Sequence, residues 1–228
     1  MMSNVFSTFD PATSMNMSTN WMSSIIMLML IPNMYWIIPS RYNMIIKIMH
    51  SKLHEEFKAI LGTENWGFSI MFVSLFMFIL LNNLIGLLPY VFTSSSHLVF
   101  TLSLALPMWM SIMLFGWINH TKHMFAHLVP EGTPPMLMPF MVCIETISNL
   151  TRPVSLSVRL MANMVAGHLF LCMLGSFIMN TSYSLFSMTI LIELFLMIYE
   201  AAVALIQAYV FSMLSALYMK EVIYEKTS

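Results

Sequence analysis

Apolar and polar positions in this chain are patterned on two length scales, and the longer one sets the expected fold. Predominantly apolar stretches cover residues 21–38, 66–90 and 98–118, each close to the ~20 residues a helix needs to cross a hydrocarbon core. They read as membrane-crossing helices, the first interrupted by Pro32. Two further stretches, 136–179 and 185–219, are longer. As helix they would extend roughly 66 and 52 Å, against a core about 30 Å thick. They predict a long, steeply tilted helical hairpin turning within residues 175–184, with Pro153 kinking the first arm. Residues 41–65 place Ile45, Ile46, Met49, Leu53, Phe57 and Ile60 near helical spacing among Lys47, Lys52, Glu55, Glu56 and Lys58. That is the pattern of an amphipathic helix lying in the membrane surface. The expected fold is an all-α membrane protein with one polytopic domain over residues 1–228.

The shorter scale is a seven-residue recurrence of polar groups inside the two longest apolar stretches. Glu145, Arg152 and Arg159 repeat at that interval, with Asn149 and Asn163 beside them; Glu193, Glu200 and Gln207 repeat it in the last stretch. Seven residues bring an ideal helix back to within about 20° of the same face, so each set forms a polar seam. A hairpin turning near Asn180 brings His168 opposite about Glu193, and Arg159 opposite Glu200 to Gln207.

Arg159 narrows function most. Its guanidinium stays protonated, and at mid-bilayer depth it costs ~2.5–3.5 kcal/mol on insertion scales. Ionisable groups strung along membrane helices mark a path for ions or protons. His168 lies nine residues from Arg159 and so points to roughly the opposite helix face, which favours two half-paths separated by the arginine. The alternative for Glu145 is an inert salt bridge to Arg152 or Arg159.

Composition removes the soluble alternatives. The chain is 59% hydrophobic and only 8% charged, where an average globular chain is about 25% charged, and its mean hydropathy is +0.81. With five crossings, Arg41, Lys47, Lys52, Lys58, Lys122, Lys220 and Lys226 all fall on one side. By the positive-inside rule that side is cytoplasm or matrix, with the two termini on opposite sides. Residues 1–20 carry neither the basic flank of a secretory signal nor the arginines of a transit peptide. The 27 methionines read as adaptable apolar filler, and Cys143 and Cys172 as small hydrophobes in apolar helices. No Gly-rich GxxxxGK[ST] loop is present, so any nucleotide chemistry belongs to partner chains. His120, His123 and His127, with His50 and His54, have the spacing of a metal-binding histidine box. No carboxylate accompanies the triplet and Lys122 lies within it, so these read as interfacial residues, and neither a metal site nor a cofactor is assigned.

Three segments carry a family resemblance: IETISNLTRPVSLSVRLMANMVAGHLF at 144–170, YEAAVALIQAYVFSMLSALY at 199–218, and LLNNLIGLLPY at 80–90. From about residue 66 onward the chain resembles the subunit a family of F-type ATP synthases, in its animal mitochondrial form; the N-terminal third agrees in pattern more than in sequence. The resemblance implies a stationary proton-path subunit of the Fo sector, with Arg159 facing the carboxylates of a rotating c-ring. It implies His168, Glu200 and Asn83 in an outer half-channel, Glu145 in an inner one, and Asn163 and Gln207 as polar neighbours of the arginine. The implied partners are the c-ring, the peripheral-stalk subunit b, other small Fo subunits, protons, and membrane lipid such as cardiolipin; nucleic acid is not among them. The implied location is the mitochondrial inner membrane, N-terminus in the intermembrane space and C-terminus in the matrix. The methionine surplus is similar to that of proteins encoded in animal mitochondrial genomes.

Three positions depart from the family pattern. Met161 stands where many relatives have Thr, Arg152 where some have Gln, and Glu193 where aliphatics are usual. Glu193 either extends the outer path or is simply solvated, and Arg152 leaves open which groups screen the inner path. Two rivals remain at this stage: a self-contained channel or transporter, which would show repeat symmetry or broken helices, and a histidine-box metalloenzyme.

Overall fold

The computed structural model describes residues 5–12, 17–29, 31, 38–62, 66–129, 134–178 and 183–223. Its described elements are seven α-helices and three short 3-10 turns, with no strand among them. The helices are α1 (Met22–Met29), α2 (Arg41–Leu61), α3 (Trp66–Gly86), α4 (Leu98–Asn119), α5 (Thr121–His127), α6 (Met138–Ile178) and α7 (Tyr183–Ile223). Four of them, α3, α4, α6 and α7, are long and apolar enough to cross a membrane. The chain is an all-α membrane protein. Within the expected 21–38 span, α1 occupies the first half, and residues 30 and 32–37 lie outside the described residues. The tip of the hairpin between α6 and α7, residues 179–182, lies outside them as well.

The centre of the bundle is the contact of α3 with α7. Along α7, Ala204, Ala208, Ser212 and Ala216 are all fully buried at a spacing of four. Small residues at that spacing let helix backbones approach closely in a membrane protein, where burial of apolar surface alone gives little drive. The bulk comes from α3, whose Phe72, Val73, Phe76, Ile79 and Leu80 join the same core. α4 closes against α6 and α7. At Gly116 of α4 a Cβ would stand 2.9 Å from Val222 Cγ1, so a larger residue there would force a neighbouring side chain to shift.

α2 begins at Ser40, whose side chain accepts from the Asn43 N–H, and ends at Gly62 with φ 83°, a backbone conformation that favours glycine. Of its apolar stripe Ile45 is exposed, Ile46 and Met49 pack partly buried against the core, and Leu53 and Phe57 are buried in it. The stripe thereby docks on α3 and α7. Two polar contacts at that docking face, His54 Nδ1 to Ser69 Oγ at 3.1 Å and the Tyr209 hydroxyl donating to Glu56 at 3.1 Å, fix its register. Partial burial also holds the His50 imidazole below its ordinary pKa range.

α6 is assigned as unbroken helix through Pro153, although proline withdraws one backbone donor there. It turns Pro153, Leu156, Ser157, Leu160 and Met164 inward. At the hairpin-tip end of the bundle, the 3-10 turn Ser94–Ser96 wedges between α3, α4 and α6. An aromatic cluster pins α1 there: Trp21 lies 5.5 Å from Phe92 and 5.3 Å from His97, ring centroid to ring centroid. Ser23 Oγ also donates to the Phe92 carbonyl at 3.3 Å.

Candidate functional site

The expected site residues divide into four groups along α6 and α7, with Asn83 joining from α3. Nearest the hairpin tip, His168 and Glu193 share the wall of a vestibule of about 700 Å³, together with Asp10, Asn20 and the backbone turn at Leu88–Val91. Tyr90 in that turn has φ 67°, an uncommon conformation for a residue with a side chain. The imidazole leans toward the backbone carbonyl of Gly86, and its Nε2 is buried without a partner.

One turn deeper, Asn163, Glu200 and Gln207 line a second cavity of about 400 Å³, which meets the vestibule at Leu87. Glu200 is 7% exposed, and neither carboxylate oxygen has a hydrogen-bond partner. Leaving a polar group so placed costs about 1–3 kcal/mol, more if it is charged, so fold stability does not account for Glu200. Its position depends on Gly167: a Cβ there would stand 2.8 Å from both Glu200 Cδ and Oε1. Asn83 is completely buried at the same level; its Nδ2 donates to the Ala204 carbonyl at 3.4 Å, one turn along α7 from Glu200, and its Oδ1 is unpartnered.

Arg159 stands apart from both cavities. It is exposed near the middle of α6 and makes no ion pair with any described residue. Ser155, Ala162 and Ala166, all exposed, lie on the same helix face, so the guanidinium rises from a stripe of small side chains.

At the open end of the hairpin the cation is Arg152, and it is occupied. Its guanidinium donates to Glu221 at 2.6 Å, lies 3.8 Å from Glu145, and stacks over the Tyr218 ring at 5.0 Å. Glu145 therefore meets Arg152 and not Arg159. Glu221 was missed in the sequence, although it continues the interval of Glu193, Glu200 and Gln207 two steps further. Gly167 was missed because its role is an absence of volume. Also unforeseen is the buried polar knot at the hairpin-tip end, where Ser94 Oγ donates to Asn82 at 3.3 Å and the fully buried Ser95 hydroxyl has no partner.

The histidine box does not assemble. His123 and His127 stand with ring centroids 6.2 Å apart, and His120 packs on Phe115. No group of three metal-ligating side chains is placed to hold an ion among the described residues.

The site thus comprises two neighbouring cavities toward one end, a clasped ion pair at the other, and between them an arginine with no ion-pair partner among the described residues. The profile of the family described as ATP synthase A chain matches residues 15–220. The chain belongs to that family. It is 56% identical over 223 residues to proteins named ATP synthase subunit a from Drosophila simulans and Drosophila melanogaster, covering 97% of this chain and all of theirs. It is likewise 56% identical over 225 residues to ATP synthase subunit a of Aedes albopictus, with the same coverage.

Proposed function

We propose that this chain is the stationary proton-path subunit of an ATP synthase Fo sector, loading and unloading the carboxylates of an adjacent c-ring through two offset half-channels. The observation that carries this reading is Arg159, exposed on a small-residue face of a membrane helix with no partner among the described residues. A fixed charge so placed has its counter-ion on another chain. The flanking small side chains let a neighbouring helix come close.

In this mechanism protons enter through the vestibule past Glu193 and His168, pass to Glu200 and Asn83, and neutralise a ring carboxylate. Neutralised, the carboxyl can rotate through lipid without the large desolvation penalty of an ion. After nearly a full turn it meets Arg159, whose charge favours the ionised form, and the proton leaves toward Glu145 at the opposite end. Arg159 also repels a bare proton and so prevents leakage between the half-paths. Each charge is worth ~2.3 kcal/mol per 100 mV, so several must cross per ATP, and a ring of carriers supplies them. The setting is the mitochondrial inner membrane, with residues 21–38 as a first crossing, the N-terminus in the intermembrane space and the C-terminus in the matrix. Subunit b, small Fo subunits and lipid such as cardiolipin complete the surroundings.

Substituting Arg159→Ala in the assembled synthase should abolish proton-driven ATP synthesis while ATP hydrolysis by the detached catalytic head continues. Arg159→Lys should largely fail too, because a point charge does not reproduce the planar two-pronged donor set. Coupled synthesis at the parental rate in the alanine variant would refute the role.

A further inference from the structure

The N-terminal segment takes part in the site although it precedes residue 15, where the family profile begins to match. The 3-10 turn Val5–Phe9 packs on α6. Phe9, its last residue, lies edge-on to His168, with ring centroids 6.3 Å apart and planes at 90°. The segment is held as a folded turn: Asp10 accepts from the Ala12 N–H at 3.0 Å, and its backbone carbonyl accepts from Asn20 at 3.4 Å. Asn20 belongs to the turn Thr19–Trp21, which the aromatic cluster anchors to Phe92 and His97. Ser7, Thr8, Phe9 and Asp10 thereby form one wall of the vestibule whose other walls carry His168 and Glu193.

We infer that this N-terminal turn is a working wall of the proton-loading vestibule, and that Phe9 is a positioning residue that sets the angle of the His168 ring in the vestibule wall. The Gly86 carbonyl is the imidazole's polar contact and Nε2 has no hydrogen-bond partner, so the rest of the ring's orientation is set by packing. An edge-on aromatic neighbour does this through the quadrupole, which penalises rotation away from the perpendicular arrangement. Loss of the ring leaves the imidazole held by its Gly86 contact alone, and proton hand-over depends on its angle as well as its presence. Asp10 and Glu193, which both line the vestibule, give it two acids through which to collect protons.

This inference rests on the proton-path reading, and the experiment separates the two. In assembled synthase in sealed vesicles, Phe9→Leu keeps apolar volume but removes the ring, Phe9→Tyr restores the ring, and His168→Ala serves as control. The expected result for Phe9→Leu is a fall of about three- to tenfold in proton-driven synthesis per assembled complex, the size of effect expected when a reacting group loses its orienting neighbour. Its dependence on pH at the vestibule side should be displaced, and Phe9→Tyr should return both rate and profile to those of the parent. A Phe9→Leu complex with parental rate and pH profile overturns the inference, as does a fall that tyrosine does not rescue, or one confined to the amount of assembled complex. If His168→Ala itself synthesises at the parental rate, the proton-path reading fails. If His168→Ala is inactive and Phe9→Leu is normal, only the role of the N-terminal turn is lost.

Discussion

Glycine 167 and glutamate 200 act as a matched pair, and the match can be tested by changing both. A Cβ at 167 would stand 2.8 Å from the Glu200 carboxyl and would push it out of its place into the cavity of about 400 Å³ that it lines. Gly167→Ala is therefore expected to lower proton-driven synthesis about tenfold, as misplacing a reacting group by about 1 Å does. Glu200→Asp in the same chain, shorter by one methylene, should recover part of the loss; activity of Gly167→Ala equal to the parent would contradict the pairing. The two arginines of α6 differ in the opposite way from their sequence contexts. Both sit on one heptad, yet Arg152 is held by Glu221, Glu145 and Tyr218 while Arg159 has no described partner. The Arg152–Glu221 pair is partly exposed, with side chains 23% and 44% accessible, and pairs that water still screens contribute about 1 kcal/mol or less. Glu221→Gln should accordingly shift the thermal stability of the complex only slightly and change synthesis less than threefold. A collapse of synthesis comparable to that of Arg159→Ala would show that Arg152 is part of the proton path and not a clasp.

Among the elements, α2 shows how far periodicity reaches and where it stops. Its helical spacing was legible in the sequence, but the surface it covers was not, because Phe57 facing lipid and Phe57 facing α3 produce the same pattern. In the structure Phe57 is completely buried against Phe72, ring centroids 6.0 Å apart. Phe57→Ala should cost about 3–5 kcal/mol, the range for deleting a buried aromatic, read as a lower unfolding temperature of the detergent-solubilised Fo sector; Ile45→Ala, on the exposed face, should be nearly neutral. Equal effects would return α2 to the role of a purely surface helix. The hairpin was more legible, since two long apolar runs carrying seven-residue polar seams leave little choice but paired helices. Its detailed register was not. Folding the chain at Asn180 puts His168 opposite Glu193, whereas the contact observed is Gly167 with Glu200. Close approach at a glycine decides which turns of the two helices meet, and no hydrophobic pattern encodes that. Contacts between distant segments, such as Phe9 on His168, leave no periodic trace at all.

For the molecule as a whole, the two native cysteines report how α6 sits in the membrane. Cys143 lies near Glu145 at one end of the helix and is exposed; Cys172 lies one turn beyond His168 on the vestibule wall. Their separation of 29 positions corresponds to about 44 Å of helix, against a core of about 30 Å. An upright α6 would place the thiols in opposite water layers. A helix tilted by more than roughly 47° would hold both within the depth of the core, since about 44 Å then projects to less than about 30 Å. A 41-residue helix needs tilt of that order if its whole length is to remain in the membrane. In the tilted arrangement Cys172 meets water only through the vestibule. A membrane-impermeant thiol reagent added to sealed, oriented vesicles should therefore label Cys172 from the side carrying loop 91–97, and a bulky adduct there should slow proton-driven synthesis. Glu193→Leu, which removes an acid from the vestibule wall, should reduce that labelling rate by lowering local hydration, without altering the labelling of Cys143. If Cys172 reacts only from the Glu145 side, or its adduct leaves synthesis at full rate, the vestibule is not the route by which protons reach Glu200.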